Sequence, residues 1–275
     1  MNQINKETKF FISISSRPSN FGTQVYNNIF KKFGINAVYK SFKVNNIKEF
    51  KKSFVFLGLN GASISMPYKE DIVSQLDHLD KISKKIKIVN TIKNKSGKLY
   101  GYNTDFLAIK KKFSEIKRIK DYYFLIYGTG SIAKTVIFAL NSLNITNVYV
   151  TGRNKNKIKN LRKKFKIKSF LEKEFLKNNN KLFLINCSSV GMKNNNANLS
   201  PFKKNLISKS SIVMDLVNYP SNTKLIRLAR AYKKKVISGS SISLYQIKYQ
   251  SKIYLNKDLK VEFLKNLFKK LKINF

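Results

Sequence analysis

Apolar residues along the chain alternate between short β-rich runs and stretches with helical spacing. Lys9 to Ser15 (KFFISIS) is a strand pattern, and the helical spacing of residues 21–34 ends at Gly34, a C-cap position. Asn36 to Phe42 predicts a second strand, followed by a helix near 45–57. Gly61 to Ser65 predicts a third strand that stops at Met66-Pro67, and residues 69–86 carry helical spacing. Strands near 88–93 and 98–102 flank Lys95-Ser96-Gly97, a hairpin signal.

The second half is more regular. Asp121 to Tyr127 (DYYFLIY) is a continuous apolar strand running into Gly128-Thr129-Gly130, and a helix is predicted from about 131 to 143. Asn147 to Thr151, Lys181 to Asn186 and Ser211 to Leu216 are further strands, with a Lys-rich helix at 154–165. Continuous apolar strands separated by helices predict parallel βαβ units. The Asn-rich stretches at 178–180 and 194–198 predict loops, and the last 25 residues show amphipathic helical spacing. There is no internal repeat.

Composition narrows the class. The 275 residues are 43% hydrophobic, enough for a sizeable core and for one large or two ordinary domains. One Cys excludes a disulfide framework and a cysteine-based zinc site, and one His makes a multi-histidine metal site untenable. No metal is expected. No apolar run reaches the roughly 18 residues a membrane helix needs, and MNQINKETKF lacks a signal-peptide pattern, so a cytoplasmic protein without a membrane partner is expected.

The 55 Lys+Arg against 14 Asp+Glu give a net charge of +41. Such an excess resembles a nucleic-acid footprint. Two features argue against that reading. Lys outnumbers Arg about eight to one, although Arg is the better phosphate and base reader. Lys, Asn and Ile, all abundant here, share AT-rich codons. The lysines are spread along the whole chain, so they read as a solvated surface able to attract anionic ligands.

Gly128-Thr129-Gly130-Ser131-Ile132-Ala133 lies between a strong strand and a helix. Glycine permits the tight turn and close backbone approach, and the helix N-terminus supplies orphan N–H groups to a pyrophosphate. Ala133 in the third position is tolerated by the dinucleotide fingerprint. The next strand ends in Thr151-Gly152-Arg153-Asn154-Lys155. NAD sites usually carry an acid there, whereas Arg153 and Lys155 suit a 2′-phosphate, which points to NADP. In the first half, Ser65-Met66-Pro67-Tyr68-Lys69-Glu70, Val89-Asn90-Thr91 and Gly101-Tyr102-Asn103-Thr104-Asp105 all follow strands. Their lysine, aspartate, asparagines and hydroxyls suit a small polyhydroxylated substrate.

These three segments, with G-T-G-S-I-A-K, N-C-S-S-V-G-M and G-S-S-I-S-L-Y-Q, occur in an order and spacing that resembles the shikimate dehydrogenase family, from about Phe11 to Gln250. The resemblance implies an N-terminal α/β substrate domain over 1–106, completed by a helical segment at 238–275. It implies a Rossmann-like doubly wound NADP-binding domain over 107–237, with the site in the cleft between them. It also implies NADP-dependent reversible reduction of 3-dehydroshikimate to shikimate by a monomer or homodimer. Lys69 matches the catalytic lysine and Asp105 its partner acid. Ser65, Asn90 and Gln246 match binders of substrate hydroxyls. Gly128, Thr129, Gly130, Ser131 and Ile132 match the pyrophosphate loop, and Arg153, Asn154 and Lys155 the 2′-phosphate reader. Asn186 to Met192 and Val217 match cofactor-lining positions, and Gly239 a backbone position near the nicotinamide.

Two segments depart from the family pattern. The N-terminal S-x-S-P signature, whose hydroxyls grip the carboxylate, is absent. Arg17-Pro18-Ser19-Asn20-Phe21-Gly22 stands there instead and places Asn20 and Gly22 at the serine positions. This form resembles the shikimate dehydrogenase-like subgroup. In Asp215-Leu216-Val217-Asn218-Tyr219-Pro220, Asn replaces the family's Tyr and Tyr follows it. The alternatives are a dehydrogenase for quinate or another cyclic hydroxy acid, a non-catalytic NADP-binding protein, and a basic nucleic-acid-binding protein on the same fold.

Overall fold

The computed structural model describes residues 4–165, 167–170, 172, 181–193 and 197–273. They form two compact units, one of residues up to 104 with 247–272, the other of 105–246.

The first unit is built on a mixed sheet of six strands: β1 (Lys9–Ser15), β2 (Ala37–Lys43), β3 (Gly61–Ile64), β4 (His78–Leu79), β5 (Thr91–Lys95) and β6 (Lys98–Tyr102), in the order β2-β1-β3-β5-β6-β4. β1 pairs in parallel with β2 and β3, whereas β5 runs antiparallel between β3 and β6, and β4 pairs in parallel with β6. Lys95-Ser96-Gly97 makes the expected hairpin, because Ser96 and Gly97 both take the positive φ that a tight two-residue turn requires. α1 (Phe21–Lys32) ends at Phe33 and Gly34, whose φ of 62° lets the chain reverse. Ile12, Ile14, Phe54, Ala62, Ile64, Ile72, Val89, Ile92 and Leu99 form the buried core beside the sheet.

The helix expected over 69–86 is three pieces: a 3-10 turn over Asp71–Gln75, β4, and α3 (Lys81–Ile86). The break has a polar cause. Asp77 exchanges two hydrogen bonds with Leu99, its N–H to the carbonyl (3.0 Å) and its carboxylate from the N–H (2.9 Å), which ties the chain to β6. Asp80 then restarts the helix by accepting from the Ser83 N–H (2.7 Å). The helix expected near 45–57 is the shorter α2 (Phe50–Phe56), since Asn46 turns back onto the Lys48 N–H.

The second unit has a fully parallel sheet of β7 (Tyr122–Tyr127), β8 (Val148–Thr151), β9 (Lys181–Asn186), β10 (Ser210–Asp215) and β11 (Lys235–Ile237), in the order β11-β10-β9-β7-β8. Phe124, Leu125, Ile126 and the Leu182–Ile185 run are all buried, as sheets covered on both faces require. A parallel bridge from Tyr149 to Lys168 adds one rung outside β8. With that rung the order matches the doubly wound dinucleotide-binding pattern, whose direction reverses between β7 and β9.

α4 (Thr104–Ser114), α5 (Ser131–Asn141), α6 (Lys155–Phe165), α7 (Lys204–Lys209) and α8 (Lys224–Ala231) complete the second unit. α7, α8 and β11 were not foreseen from the sequence. The C-terminal stretch is not one helix. α9 (Gly239–Leu255) closes at Asn256, with φ 54°, and α10 (Val261–Lys270) follows. The division between the units falls inside α9, between Gln246 and Ile247. The Asn-rich stretches 178–180 and 194–196 lie outside the described residues, and 197–198 form a turn.

Candidate functional site

In the first unit, the carboxyl ends of β3 and β6 and the residues just before β5 carry the polar groups singled out above. Ser65 follows β3 and is exposed; its N–H donates to the Ile14 carbonyl (3.0 Å). Lys69 is half-buried, and its carbonyl accepts from the Val89 N–H (2.8 Å), fixing the loop beside β5. Asn90 is fully buried. Its Oδ1 accepts from the Thr104 N–H (2.8 Å), the Thr104 hydroxyl (3.1 Å) and the Thr91 hydroxyl (3.0 Å). A backbone N–H can only donate, so this geometry fixes which end of the amide is oxygen. The other end, Nδ2, is buried without a hydrogen-bond partner. A buried amide donor left unpaired is costly, and its cost is recovered when a ligand acceptor meets it.

Behind Asn90 lies a residue the sequence reading passed over. Gln250, one turn beyond Gln246 on α9, is 2% exposed. It donates to Thr91 (2.9 Å) and Ser63 (3.1 Å) and accepts from Tyr26 (2.8 Å). Ser63 also accepts from Tyr39 (2.8 Å). Burial pushes the Tyr39 phenol up to about 12, so it is a neutral donor at ordinary pH. Gln246 itself is half-buried. Asn20 is the N-cap residue of α1 but makes no side-chain cap bond, and it is exposed. Gly22 sits against Tyr39: a Cβ there would lie 2.9 Å from the ring. A serine at position 22 would have to displace that ring. Asn20 and Gly22 therefore stand beside each other at the start of α1 in chemically different states, one polar and open, the other closed by an aromatic.

In the second unit, Asp105 lies in the first turn of α4 and is 6% exposed, a favourable place for a carboxylate in the helix field. β7 leads into Gly128, Thr129 and Gly130, and α5 starts at Ser131 and Ile132 with Gly130 as N-cap and no side-chain cap bond. The helix start therefore presents uncapped N–H groups. Gly128 has φ 124°, and a Cβ there would lie 2.8 Å from the Cys187 carbonyl oxygen. Gly130 has open space at its Cβ position. That combination, a glycine forced by its neighbours and another with nothing around it, fits a phosphate cradle. Gly152, at the end of β8, brings its Cβ position to 3.6 Å from the Gly128 nitrogen, so the two turns are adjacent. Arg153, Asn154 and Lys155 are exposed just beyond. The Asn154 Oδ1 accepts from the Lys157 N–H (2.9 Å) and caps α6, which leaves Arg153 and Lys155 as the charged groups of this turn.

Val217 and Gly239 are brought together closely: a Cβ on Gly239 would sit 2.3 Å from the Val217 carbonyl oxygen. The Asn218 side chain there accepts from the Ser243 hydroxyl (2.8 Å) on α9. Beneath lies Asp215, fully buried, accepting from Asn186 (2.9 Å), Val217 N–H (3.1 Å) and Thr223 (2.6 Å). Burial pushes its carboxyl up to about 6 against the pull of these three donors. Cys187, the sole cysteine, is buried, and burial followed by the Asp215 charge drives its thiol up, so it is a poor nucleophile. Among the described residues no cluster could hold a metal and no helix is long and apolar enough to cross a membrane.

A parallel sheet with this strand order and a glycine turn opening an uncapped helix defines the second unit as a Rossmann-type dinucleotide-binding unit. In the first unit, residues 20–92 match the family model of the shikimate dehydrogenase substrate binding domain. The chain is 33% identical over 252 residues to a shikimate dehydrogenase-like protein of Haemophilus influenzae, covering 91% of this chain and 92% of that protein. It is 33% identical over 266 residues to the shikimate dehydrogenase (NADP(+)) of Pyrococcus furiosus, covering 96% of each. A solved structure of a shikimate 5-dehydrogenase-like protein superposes with a TM-score of 0.87 at 31% identity, over 98% of this chain and 100% of that one. The chain belongs to the shikimate dehydrogenase family.

Proposed function

We propose that the protein is an NADP-dependent shikimate dehydrogenase, interconverting 3-dehydroshikimate and shikimate. The observation that carries this reading is the Asn90 amide, a buried donor whose orientation Thr104 fixes and whose Nδ2 is unpartnered. A substrate hydroxyl is an acceptor that would satisfy it. The first unit is then the substrate-binding domain and the second the NADP-binding domain.

Gly128, Thr129, Gly130, Ser131 and Ile132 would hold the pyrophosphate on the uncapped start of α5. Arg153 and Lys155 would pair with the 2′-phosphate, and Val217 and Gly239 would line the nicotinamide side. When bound, NADP supplies the redox chemistry by accepting or donating a hydride. Every other requirement falls on the protein. Lys69 moves the proton on or off the reacting oxygen as general acid or base. Asp105, Ser65, Asn90 and Gln246 hold the ring hydroxyls, and Asn20 at the start of α1 donates to the carboxylate. The reaction belongs to the cytoplasm, in keeping with a lone, buried cysteine.

A quinate dehydrogenase is the second reading. It is favoured by the Tyr39 ring that closes position 22, because this surface differs from a pair of serine hydroxyls. The deciding assay follows absorbance at 340 nm with shikimate or quinate, each with NADP and with NAD. Turnover with shikimate and NADP is expected. Turnover with quinate alone would move the substrate assignment, and NADP binding without turnover on either would overturn the enzymatic reading.

A further inference from the structure

We infer that Asp215 is a positioning residue for the nicotinamide half of the cofactor. It acts by locking the loops after β9 and β10 into one arrangement, and the inference rests on the NADP reading above. The carboxylate joins three elements. Asn186, the last residue of β9, donates to it through Nδ2 (2.9 Å), Val217 in the loop after β10 donates its N–H (3.1 Å), and Thr223, the N-cap of α8, donates its hydroxyl (2.6 Å).

A carboxylate accepts only, so it fixes the Asn186 amide with nitrogen inward. The Asn186 Nδ2 also donates to the Val190 carbonyl (2.9 Å), while its Oδ1 accepts from the Ser188 N–H (3.0 Å) and hydroxyl (2.7 Å). The Ser188 hydroxyl in turn accepts from the Val190 N–H (3.1 Å). The whole of 186–190 is thus referred back to one buried carboxylate.

Both loops bear on glycines of the cofactor site. The Cys187 carbonyl oxygen limits Gly128 to 2.8 Å, and the Val217 carbonyl oxygen limits Gly239 to 2.3 Å, each measured to the Cβ position. Among the described residues no cation pairs with Asp215, although the chain carries a net charge of +41. The groups facing it are Asn186 and the Cys187 thiol from the β9 side, and Thr223 from α8. Burying a carboxylate without a cation is costly, and three donors converging on it from loop and cap positions are what a rigid hinge point between loops needs.

The test separates the two halves of the cofactor. NADPH reports on the whole site. Adenosine 2′,5′-bisphosphate lacks the nicotinamide half and engages only the adenosine side near Arg153 and Lys155. Their dissociation constants are measured for wild type, Asp215→Ala and Asp215→Asn, with melting temperatures recorded alongside. The Ala variant is expected to bind NADPH about tenfold more weakly or worse, and the bisphosphate within about twofold of wild type. The Asn variant is expected between, because its Oδ1 can still accept from Val217 and Asn186. Should the Ala variant fail to fold, the near-isosteric Asn variant carries the test alone. Equal weakening of both probes would mean a merely structural residue and would overturn the inference, as would an unchanged NADPH affinity. Failure of the wild type to bind either probe would overturn the NADP reading itself and this inference with it.

Discussion

Substituting Gly130 by Ala isolates what the glycine turn does for the cofactor from what it does for the fold. The backbone at Gly130 has φ −79° and ψ −174°, extended geometry that alanine adopts freely. A Cβ there meets nothing within 4 Å. Folding stability should therefore change by no more than about 1 kcal/mol, because the freedom lost by the unfolded chain is opposed by alanine's poorer fit at the N-cap of α5. The same methyl occupies the space into which a pyrophosphate would settle on the start of α5. Displacing a phosphate from several backbone donors by part of an ångström should weaken NADP binding about 10- to 100-fold, or about 1.4–2.8 kcal/mol. Gly239→Ala is the contrast. Its Cβ would fall 2.3 Å from the Val217 oxygen and 2.7 Å from its carbon, both backbone atoms. The chain would have to move by about 1 Å, at about 1–3 kcal/mol, a loss of several degrees in melting temperature. Calorimetric titration of NADP and thermal unfolding of both variants decide the matter. Wild-type NADP affinity in Gly130→Ala would refute the cradle.

Lys69→Ala should reduce kcat by at least about 100-fold while NADP affinity stays within about twofold; equal losses of both would make Lys69 structural. Arg153→Ala should weaken NADP about tenfold and leave NAD nearly unchanged, read by fluorescence titration of the reduced cofactors. Asp80→Ala removes the cap on the Ser83 N–H and should cost about 1 kcal/mol in urea unfolding. For Asp215 the sign runs against the usual carboxylate. Its pKa is raised from 3.8 to about 6, so its contribution to stability is fully present below about pH 4 and lost as pH rises to about 6. At about 1.4 kcal/mol per pH unit that is about 3 kcal/mol. Urea unfolding at pH 4.5 and 6.5 should show about 2 kcal/mol of this component in wild type and none in Asp215→Asn; parallel profiles would contradict it.

What could be read from the sequence was what short-range pattern encodes. YYFLIY and the LFLI of Leu182–Ile185 are unbroken apolar runs, so their burial on both faces needed no tertiary knowledge. The glycine turn after Tyr127 carried its own strand and helix. The stretch 69–86 misled because its apolar residues keep helical spacing while its structure is set by Asp77 pairing with Leu99, a contact 22 residues away. β11 has three residues and its partners lie in β10, so no local run announced it. Asn90 was visible as a candidate, but its unpaired nitrogen depends on Thr104. Gln250 lies one turn beyond the segment that ends at Gln246 and Asp215 at the head of a recognisable one, and only the convergence of distant donors and acceptors singles each out.

The sheet edges give the lysine excess a physical consequence. β2 closes one edge of the first sheet and carries exposed Lys40 and Lys43 around an exposed Phe42. β4, at the other edge, is two residues long, and β11 opens on exposed Lys235. Unpaired strand edges invite pairing with another chain, and short edges and protruding ammonium groups discourage it. Two such edges approaching each other would bring like charges within a Debye length, about 8 Å at physiological ionic strength. Colloidal stability of this protein should therefore depend on salt, with self-association through β2 favoured when the ammonium groups are screened or acetylated.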